Sequence, residues 1–205
     1  RKLFQDMLAV ILYNGEENSE KNYRYGTYRF EYVWEALINK VYGIKEKREY
    51  FPNTYWSIDG VQYENACLEP DTIMIWNGNV YVLDAKYYKY GVTRRMTDLP
   101  ESTSINKQIT YGEFIAEQEC FKKKHGENYK VYNAFIMPYA QKNGEELKNI
   151  GIAYSNWKTN EKSYENIQGI LLDIKHLMYA SWGQNVEEIE KLVQCIEGGI
   201  KNAEN

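Results

Sequence analysis

Two aspartates stand at the open end of a predicted hairpin, where their side chains would meet. Asn77-Gly78 separates two β-like runs, residues 72–76 and 80–83. Asn-Gly between such runs favours a two-residue turn, because both residues tolerate positive φ. Counting outward from that turn, the register places Asp71 directly opposite Asp84. Like charges at opposed positions of an antiparallel pair repel each other, so this pair needs a shared proton or a bound divalent cation.

A lysine belongs to the same face of the hairpin. Because side chains alternate between the two faces, Lys86 falls next to Asp84 and opposite Glu69. The same face carries four aliphatic residues that turn it toward the core: Ile73, Ile75, Val80 and Val82. Two acids and a lysine suit metal-assisted phosphodiester hydrolysis, in which the acids hold Mg²⁺ and the lysine orients or activates the attacking water. The competing interpretation is a solvated hairpin end with an incidental ion pair. Pro70, which cannot donate to a ladder, limits the register beyond Asp71.

Helical periodicity precedes the hairpin. Residues 1–13 have the apolar spacing of a helix, and the polar stretch 14–22 predicts a loop. A second helix ends at Gly43, a residue typical of helix ends. It carries one apolar stripe: Phe30, Val33, Trp34, Leu37, Ile38 and Val41. Residues 45–59 predict a charged loop.

The elements after the hairpin alternate between helix and strand. A polar loop over 91–103 leads to Ser104, which can cap a helix that runs to about Lys124, and a strand over 131–137 ends at Pro138. The remaining predicted elements are strands at 150–154 and 169–172 and helices at 174–181 and 186–200. A strand, a helix and a strand after a hairpin predict an α/β fold with a mixed central sheet flanked by helices. We expect one domain over 1–205, with a core of about 25–175 and C-terminal helices over 174–205.

Composition excludes several classes of protein. The chain has 205 residues, of which 43% are hydrophobic and 26% charged, so a packed domain is expected. The longest apolar run, residues 7–13, is too short to cross a bilayer. Three scattered cysteines and two histidines argue against a disulfide scaffold and a thiolate zinc site. The net charge of −4 argues against a uniformly basic nucleic-acid coat.

The hairpin motif resembles that of a nuclease superfamily. Pro70-Asp71 followed by Asp84-Ala85-Lys86 is similar to the PD-(D/E)xK motif, and residues 107–111 (KQITY) resemble its helical Gln and Tyr element. Residues 30–35 resemble its first core helix. Tyr-Gly-Thr at 25–27 and Leu-Asp-Ala-Lys-Tyr-Tyr at the motif most resemble LlaJI-like type II restriction endonucleases, and McrC-type nuclease subunits are close in the Asp-Ala-Lys-Tyr stretch. The resemblance covers about residues 25–140.

This resemblance implies a restriction-endonuclease-like core with a divalent cation. Mg²⁺, for which Mn²⁺ could substitute, would be held by Asp71, Asp84 and the backbone carbonyl of Ala85. Glu35 would be the further acid, with Glu31 as its rival one turn earlier on nearly the same helix face. Two residues three apart on the later helix, Gln108 and Tyr111, would approach the phosphate or steady Lys86.

A basic and aromatic segment follows the motif. Lys89, Arg94 and Arg95 lie among three tyrosines, with no acid between 86 and 95: Tyr87, Tyr88 and Tyr90. Basic side chains interleaved with aromatic ones suit a track for the DNA backbone. A solvated loop is the alternative.

The sequence therefore predicts a Mg²⁺-dependent type II restriction-like deoxyribonuclease that acts on double-stranded DNA. Double-strand cleavage needs two sites, so we expect a homodimer or a partner nuclease subunit, and no membrane partner. The resemblance implies a prokaryotic cytoplasmic enzyme. Because residue 1 is Arg1, we expect a catalytic fragment whose recognition domain lies upstream, or C-terminal helices that form a dimer surface.

Two other functions remain open. The first is the nuclease subunit of an NTP-driven, modification-dependent system of the McrC kind; the chain has no GxxxxGK[ST], so its motor would be a separate chain. The second is a non-catalytic interaction module on a nuclease-like fold, which would not need to keep opposed like charges.

Overall fold

A mixed five-stranded sheet forms the centre of the protein. The computed structural model describes residues 28–141, 144–180 and 186–203, so the predicted helix 1–13 and loop 14–22 lie outside the described residues. The strands are β1 (Tyr55–Ile58), β2 (Val61–Glu64), β3 (Thr72–Trp76), β4 (Asn79–Ala85), β5 (Val131–Tyr139), β6 (Leu147–Ala153) and β7 (Ile167–Asp173). The large sheet has the order β3-β4-β5-β7-β6, in which β4-β5 and β5-β7 are parallel and the other two pairs are antiparallel.

Helices cover both faces of this sheet, which confirms the predicted α/β architecture. They are α1 (Phe30–Tyr42), α2 (Tyr90–Thr93), α3 (Ser102–Glu117), α4 (Glu119–His125), α5 (Ile174–Ala180) and α6 (Val186–Ala203), with 3₁₀ turns at Arg48–Tyr50, Met96–Asp98 and Ser163–Glu165. Tyr81 and Leu83 of β4 pack with α1, α5 and α6. Their neighbours Val80 and Val82 point to the other face and pack with α3 and α4. The period-2 alternation of one buried strand thus supplies both halves of the core.

The β3–β4 hairpin has the predicted register. Ile73 pairs with Val82 and Ile75 pairs with Val80. Asn77 and Gly78 both have positive φ, 47° and 79°, as a two-residue turn of this kind requires. The ladder ends at the pair Thr72 and Leu83, one step before the predicted acidic pair.

The prediction that Pro138 ends its strand is wrong, because β5 continues through it to Tyr139. On the side of β5 that faces β4, the carbonyl of Ile136 accepts a hydrogen bond from the Lys86 N–H. Pro138, two residues later, faces the same side, where β4 has already ended at Ala85. Its missing N–H therefore removes no hydrogen bond from the ladder.

Two further expectations about local structure are wrong. The helix expected to run to about Lys124 is divided at Gln118, which has an extended ψ of 123°; the residues around this break are ordinary helix formers and do not mark it. A hairpin over β1 and β2 occupies part of the expected loop and turns at Asp59-Gly60. Within the described residues, no helix is long and apolar enough to cross a membrane.

Candidate active site

The two aspartates predicted to oppose each other lie together at the open end of the β3–β4 hairpin. Asp71 directly precedes β3, and one of its carboxylate oxygens accepts a hydrogen bond of 2.9 Å from the Ala85 N–H. Burial raises the pKa of Asp71 to about 7, and the charge of Asp84, a hydrogen bond with Asp84 and the charge of Glu35 act in the same direction. The Ala85 N–H opposes this rise, because it stabilises the charged form.

The Lys86 ammonium neutralises the second aspartate. Its Nζ lies 2.7 Å from Oδ2 of Asp84, and the two side chains are only 18% and 8% exposed. Lys86 was predicted to lie opposite Glu69 in the hairpin. The two residues do not form a strand pair, because the ladder has ended before them. Asp71, Asp84 and Lys86 nevertheless form one partly buried cluster of two neighbouring carboxyl groups and one ammonium.

Side chains, rather than a strand, hold the segment that delivers Asp71. Tyr111 donates its hydroxyl to the carbonyl of Glu69 at 3.1 Å. Lys47 donates to the carbonyl of Pro70 at 3.3 Å and to that of Asp71. Three consecutive carbonyls that lie beyond the ladder therefore receive donors, which avoids unpaired polar groups at this partly buried site.

Lys47 was not expected from the sequence. It lies in the segment between α1 and the β1–β2 hairpin, and burial lowers its pKa while the charges of Asp71, Glu69 and Glu35 raise it. Its ammonium is thus a second cation next to the carboxylates. No local motif marks it, because its contacts depend on how a distant part of the chain packs.

Of the two rival glutamates, Glu35 is the one whose charge affects the pKa values of the cluster. Its charge acts on both Asp71 and Lys47. Glu31 instead pairs with Arg29 at 3.0 Å on the helix surface, and a hydrogen bond to its own backbone N–H and the Arg29 contact lower its pKa.

Gln108 lies on the predicted helix, but its side chain does not reach the carboxylates. Its amide nitrogen donates to the carbonyl of Val82 at 2.8 Å and to Oδ1 of Asn133 at 3.3 Å, and Asn133 donates back to the Gln108 carbonyl at 3.0 Å. These two fully buried amides tie α3 to β4 and β5. Gln108 therefore connects α3 to β4, the strand that carries Asp84.

Tyr111 is also buried rather than exposed to a ligand. It is 1% exposed, and burial together with the charges of Asp84 and Asp71 raises its pKa. The structure thus puts Tyr111 next to the carboxylates, as a residue that holds the Glu69 carbonyl, and not on an open surface where DNA would lie.

The three basic residues expected to contact DNA are exposed and follow the cluster in the chain. Lys89 precedes α2, and Arg94 and Arg95 follow it. Arg94 takes a left-handed backbone conformation with φ of 57°, and its guanidinium lies 5.8 Å from the Tyr90 ring centroid. Gly91 fixes α2 to the end of β5, because a β-carbon at this position would collide with the Pro138 carbonyl.

A family model of known proteins matches most of the chain. The model of the LlaJI restriction endonuclease matches residues 2–179, which include the hairpin, α3 and every predicted site residue. The chain belongs to the LlaJI restriction endonuclease family. No curated protein matches this chain. Membership implies a restriction-type nuclease whose substrate is DNA.

The donor set of this LlaJI-family chain fits a divalent cation. Burial and the neighbouring charge of Asp84 raise the pKa of Asp71 to about 7, and a bound dication would replace the proton that Asp71 then holds. The Ala85 N–H points to Asp71. Because the N–H and C=O of a strand residue point to the same side, the Ala85 carbonyl also lies on the Asp71 side. Carboxylate and carbonyl oxygens are ligands that Mg²⁺ accepts.

One large open cavity of this LlaJI-family chain lies away from the cluster. A cavity of about 940 Å³ is lined by residues of α3, β5, β7 and α6 and contains none of the predicted site residues. The carboxylates instead lie at the open end of the β3–β4 hairpin, where β4 ends. A site at the end of a strand suits a polymer laid along the surface better than a small molecule enclosed in a pocket.

Proposed function

We propose that this chain is a Mg²⁺-dependent DNA endonuclease of the type II restriction kind with a PD-(D/E)xK site. The observation that carries the proposal is the pairing of Asp71 and Asp84, two carboxylates forced together at a partly buried hairpin end, with Lys86 beside them. A structural role would favour relief of this repulsion, whereas a cation site requires it.

In this proposal the metal ligands are Asp71, Asp84 and the Ala85 carbonyl, with Glu35 as the further acid. When bound, Mg²⁺ supplies Lewis acidity that polarises the scissile phosphate and stabilises its developing charge; Mn²⁺ is the expected substitute. Release of the Asp71 proton accompanies the loading of the site, because its pKa is raised to about 7.

The protein's own groups would then prepare the reaction. Lys86, already held next to Asp84 at 2.7 Å, orients the attacking water and offsets phosphate charge. Lys47 and Tyr111 keep the Glu69 to Asp71 segment in place through its carbonyls. They are positioning residues, since neither needs to contact the substrate.

DNA would be bound along the exposed basic segment. Lys89, Arg94 and Arg95 follow directly from the motif strand, and contacts of this kind to phosphates bring affinity without sequence readout. One such site cuts one strand, so cleavage of both strands would use a homodimer or a partner subunit.

The test is cleavage of supercoiled plasmid in Mg²⁺. Asp84→Asn and Lys86→Met should slow nicking and linearisation by at least about 100-fold, since each removes an interaction worth several kcal/mol in the transition state. Asp59→Asn, at the tip of the exposed β1–β2 hairpin, and Lys123→Met, on the surface of α4, are the matched controls and should cut like the parent protein.

Three outcomes separate the functions. Cleavage by the parent protein and the controls, abolished by chelation and by the site variants, supports the proposal. Cleavage that appears only with an NTP-driven partner chain, and is still lost in Asp84→Asn, overturns the stand-alone enzyme in favour of the McrC-like subunit. Equal inertness of all proteins with every plausible partner leaves the non-catalytic module.

A further inference from the structure

A second group of potential metal ligands lies beside β6 and β7, across the sheet from the hairpin that carries Asp71 and Asp84. Atoms of Glu146, His176 and Glu188 that can each ligate a cation lie within 4.8 Å of one another. His176 Nδ1 is 3.0 Å from a Glu146 carboxylate oxygen, and its Nε2 contacts Glu188. None of these residues belongs to the Asp71–Asp84 cluster.

Three separate elements deliver these side chains. Glu146 directly precedes β6, and its carbonyl accepts a hydrogen bond of 2.9 Å from the Asp173 N–H. His176 is in the first turn of α5, where its backbone N–H donates to Asp173 at 2.8 Å. Glu188 is in the first turn of α6 and is 3% exposed. The cluster is therefore a junction between the sheet and both C-terminal helices.

Negative charge is in excess at this junction. Lys191 Nζ lies 3.2 Å from Glu146, Glu187 and Glu188. Hydrogen bonds with these three carboxylates raise the pKa of Lys191. One ammonium and one imidazole thus face three carboxylates, two of which are also ligand candidates.

A buried hydroxyl that is affected by the charges of this junction has no hydrogen-bond partner among the described residues. Tyr42, at the end of α1, is 2% exposed, and its hydroxyl makes no hydrogen bond among the described residues. The charges of Glu188 and Glu146 both act on it, and they add to burial in raising its pKa. A buried hydroxyl of this kind normally has a polar partner, and a water on a bound cation would supply one.

The junction also has access to solvent. Glu146 is 37% exposed in its side chain, and a cavity of about 380 Å³ is lined by Glu146 and Lys191 among others. A cation could therefore reach the site without unfolding of the helices.

We propose that Glu146, His176 and Glu188 bind a transition-metal dication of the Zn²⁺ class, separate from the nuclease centre. Imidazole nitrogen and carboxylate oxygen are both ligands that Zn²⁺ accepts, whereas Mg²⁺ prefers oxygen ligands alone. The bound ion ties β6, α5 and α6 together. Lys191 then pairs with Glu187 in its own helix, and Tyr42 donates to a water that completes the coordination.

The experiment uses Zn²⁺ alone and an Asp84→Asn background, so that the nuclease centre contributes neither activity nor its full ligand set. Titration should show one equivalent of Zn²⁺ bound at micromolar concentration, with a rise in the midpoint of thermal unfolding. Co²⁺ in place of Zn²⁺ should give the visible absorption of a low-coordinate nitrogen and oxygen site.

His176→Gln and Glu146→Gln should each weaken Zn²⁺ binding by at least about 100-fold. Loss of a residue that only hydrogen-bonds to a metal ligand weakens binding by about 100-fold at most. The matched control is His125→Gln, since His125 is the other histidine of the chain and contacts Tyr50 instead; it should bind Zn²⁺ unchanged. If His176→Gln fails to fold, the half-exposed Glu146→Gln decides. Absence of micromolar binding, or binding that survives both substitutions, overturns the proposal and leaves an ion-pair network.

Discussion

Two hairpins of the protein share their turn chemistry and differ in everything that surrounds them. β1–β2 turns at Asp59-Gly60 and pairs Ile58 with Val61, whereas β3–β4 turns at Asn77-Gly78 and pairs Ile75 with Val80. All four turn residues have positive φ. Every residue of β1 and β2 is nevertheless exposed, while β4 is buried over most of its length.

The difference shows that the turn residues and the surrounding elements determine different properties of a hairpin. The turn residues determine that the chain reverses, but burial comes from the neighbours, because β4 also pairs with β5 and is covered by helices on both faces. Only the buried hairpin can hold two carboxylates in an environment that raises a pKa.

The largest expected effect concerns the same substitution in both hairpins. Ile73→Ala, at a fully buried position, should lower the free energy of unfolding by about 3 kcal/mol, because it removes apolar burial and leaves a cavity. Ile58→Ala, at a position that is 52% exposed, should change it by less than about 0.5 kcal/mol. Urea denaturation of both variants measures the contrast, and similar losses would mean that β1–β2 is buried in solution.

The next effect is a pH dependence that only the buried hairpin should show. The pKa of Asp71 rises from 3.8 to about 7 on folding, so its contribution is fully present below pH 3.8 and is lost as the pH rises toward 7. The metal-free protein should therefore lose stability on the order of 2 kcal/mol over this range, relative to Asp71→Asn.

Chemical denaturation of both proteins in chelator, at pH values from 4 to about 8, measures this difference directly. Asp59→Asn, in the exposed turn, should leave the pH dependence of the parent protein unchanged. Parallel curves for the parent protein and Asp71→Asn would show that folding does not raise the pKa of Asp71.

A smaller effect should follow from the support at the open end of the buried hairpin. Lys47→Met removes the donor to the Pro70 and Asp71 carbonyls, and loss of these two charged hydrogen bonds should slow plasmid cleavage by about tenfold. Lys47→Arg should recover part of the rate, and Lys45→Met, at an exposed position, should have no effect. A rate unchanged in Lys47→Met would show that the Asp71 segment needs no such support.

The smallest expected effect separates the two turns themselves. Gly60 and Gly78 have nearly equal φ, 78° and 79°, so Ala at either should cost about 1 kcal/mol of stability for the left-handed conformation. At Gly78 the new β-carbon would also lie 3.3 Å from the His125 carbonyl, whereas nothing lies near Gly60. Gly78→Ala should therefore lower the midpoint of thermal unfolding more than Gly60→Ala. The reverse order would contradict the expected contact with the His125 carbonyl.

The features that could be predicted from the sequence depend on residues close together in the chain. Asn77-Gly78 between alternating aliphatic residues specified the β3–β4 register, and with it the meeting of Asp71 and Asp84. Asp59-Gly60 carries a comparable turn signal, yet it was missed because the strands beside it are four residues long and lack a buried face to give them alternation.

What could not be predicted depends on packing between distant segments. The helix that carries Gln108 was expected, but the direction of its amide depends on Asn133 in β5. Lys47 and the Glu146, His176 and Glu188 cluster likewise belong to no local motif, because each contact joins elements far apart in the chain. The role of the catalytic residues themselves stays a prediction until cleavage is measured.

The close contact between Gly91 and the Pro138 carbonyl has a consequence for where a strand of DNA would be broken. It places the short helix between Lys89 and Arg94 against the end of β5, the strand adjacent to the one that carries Asp84, so the backbone bearing the cationic residues packs on the same sheet as the carboxylates. If the arginines bind DNA as proposed, the phosphate they contact would lie at a constant number of nucleotides from the bond that is cut. Lengthening this connection by a single residue should shift or blur the position of the break without altering the chemistry.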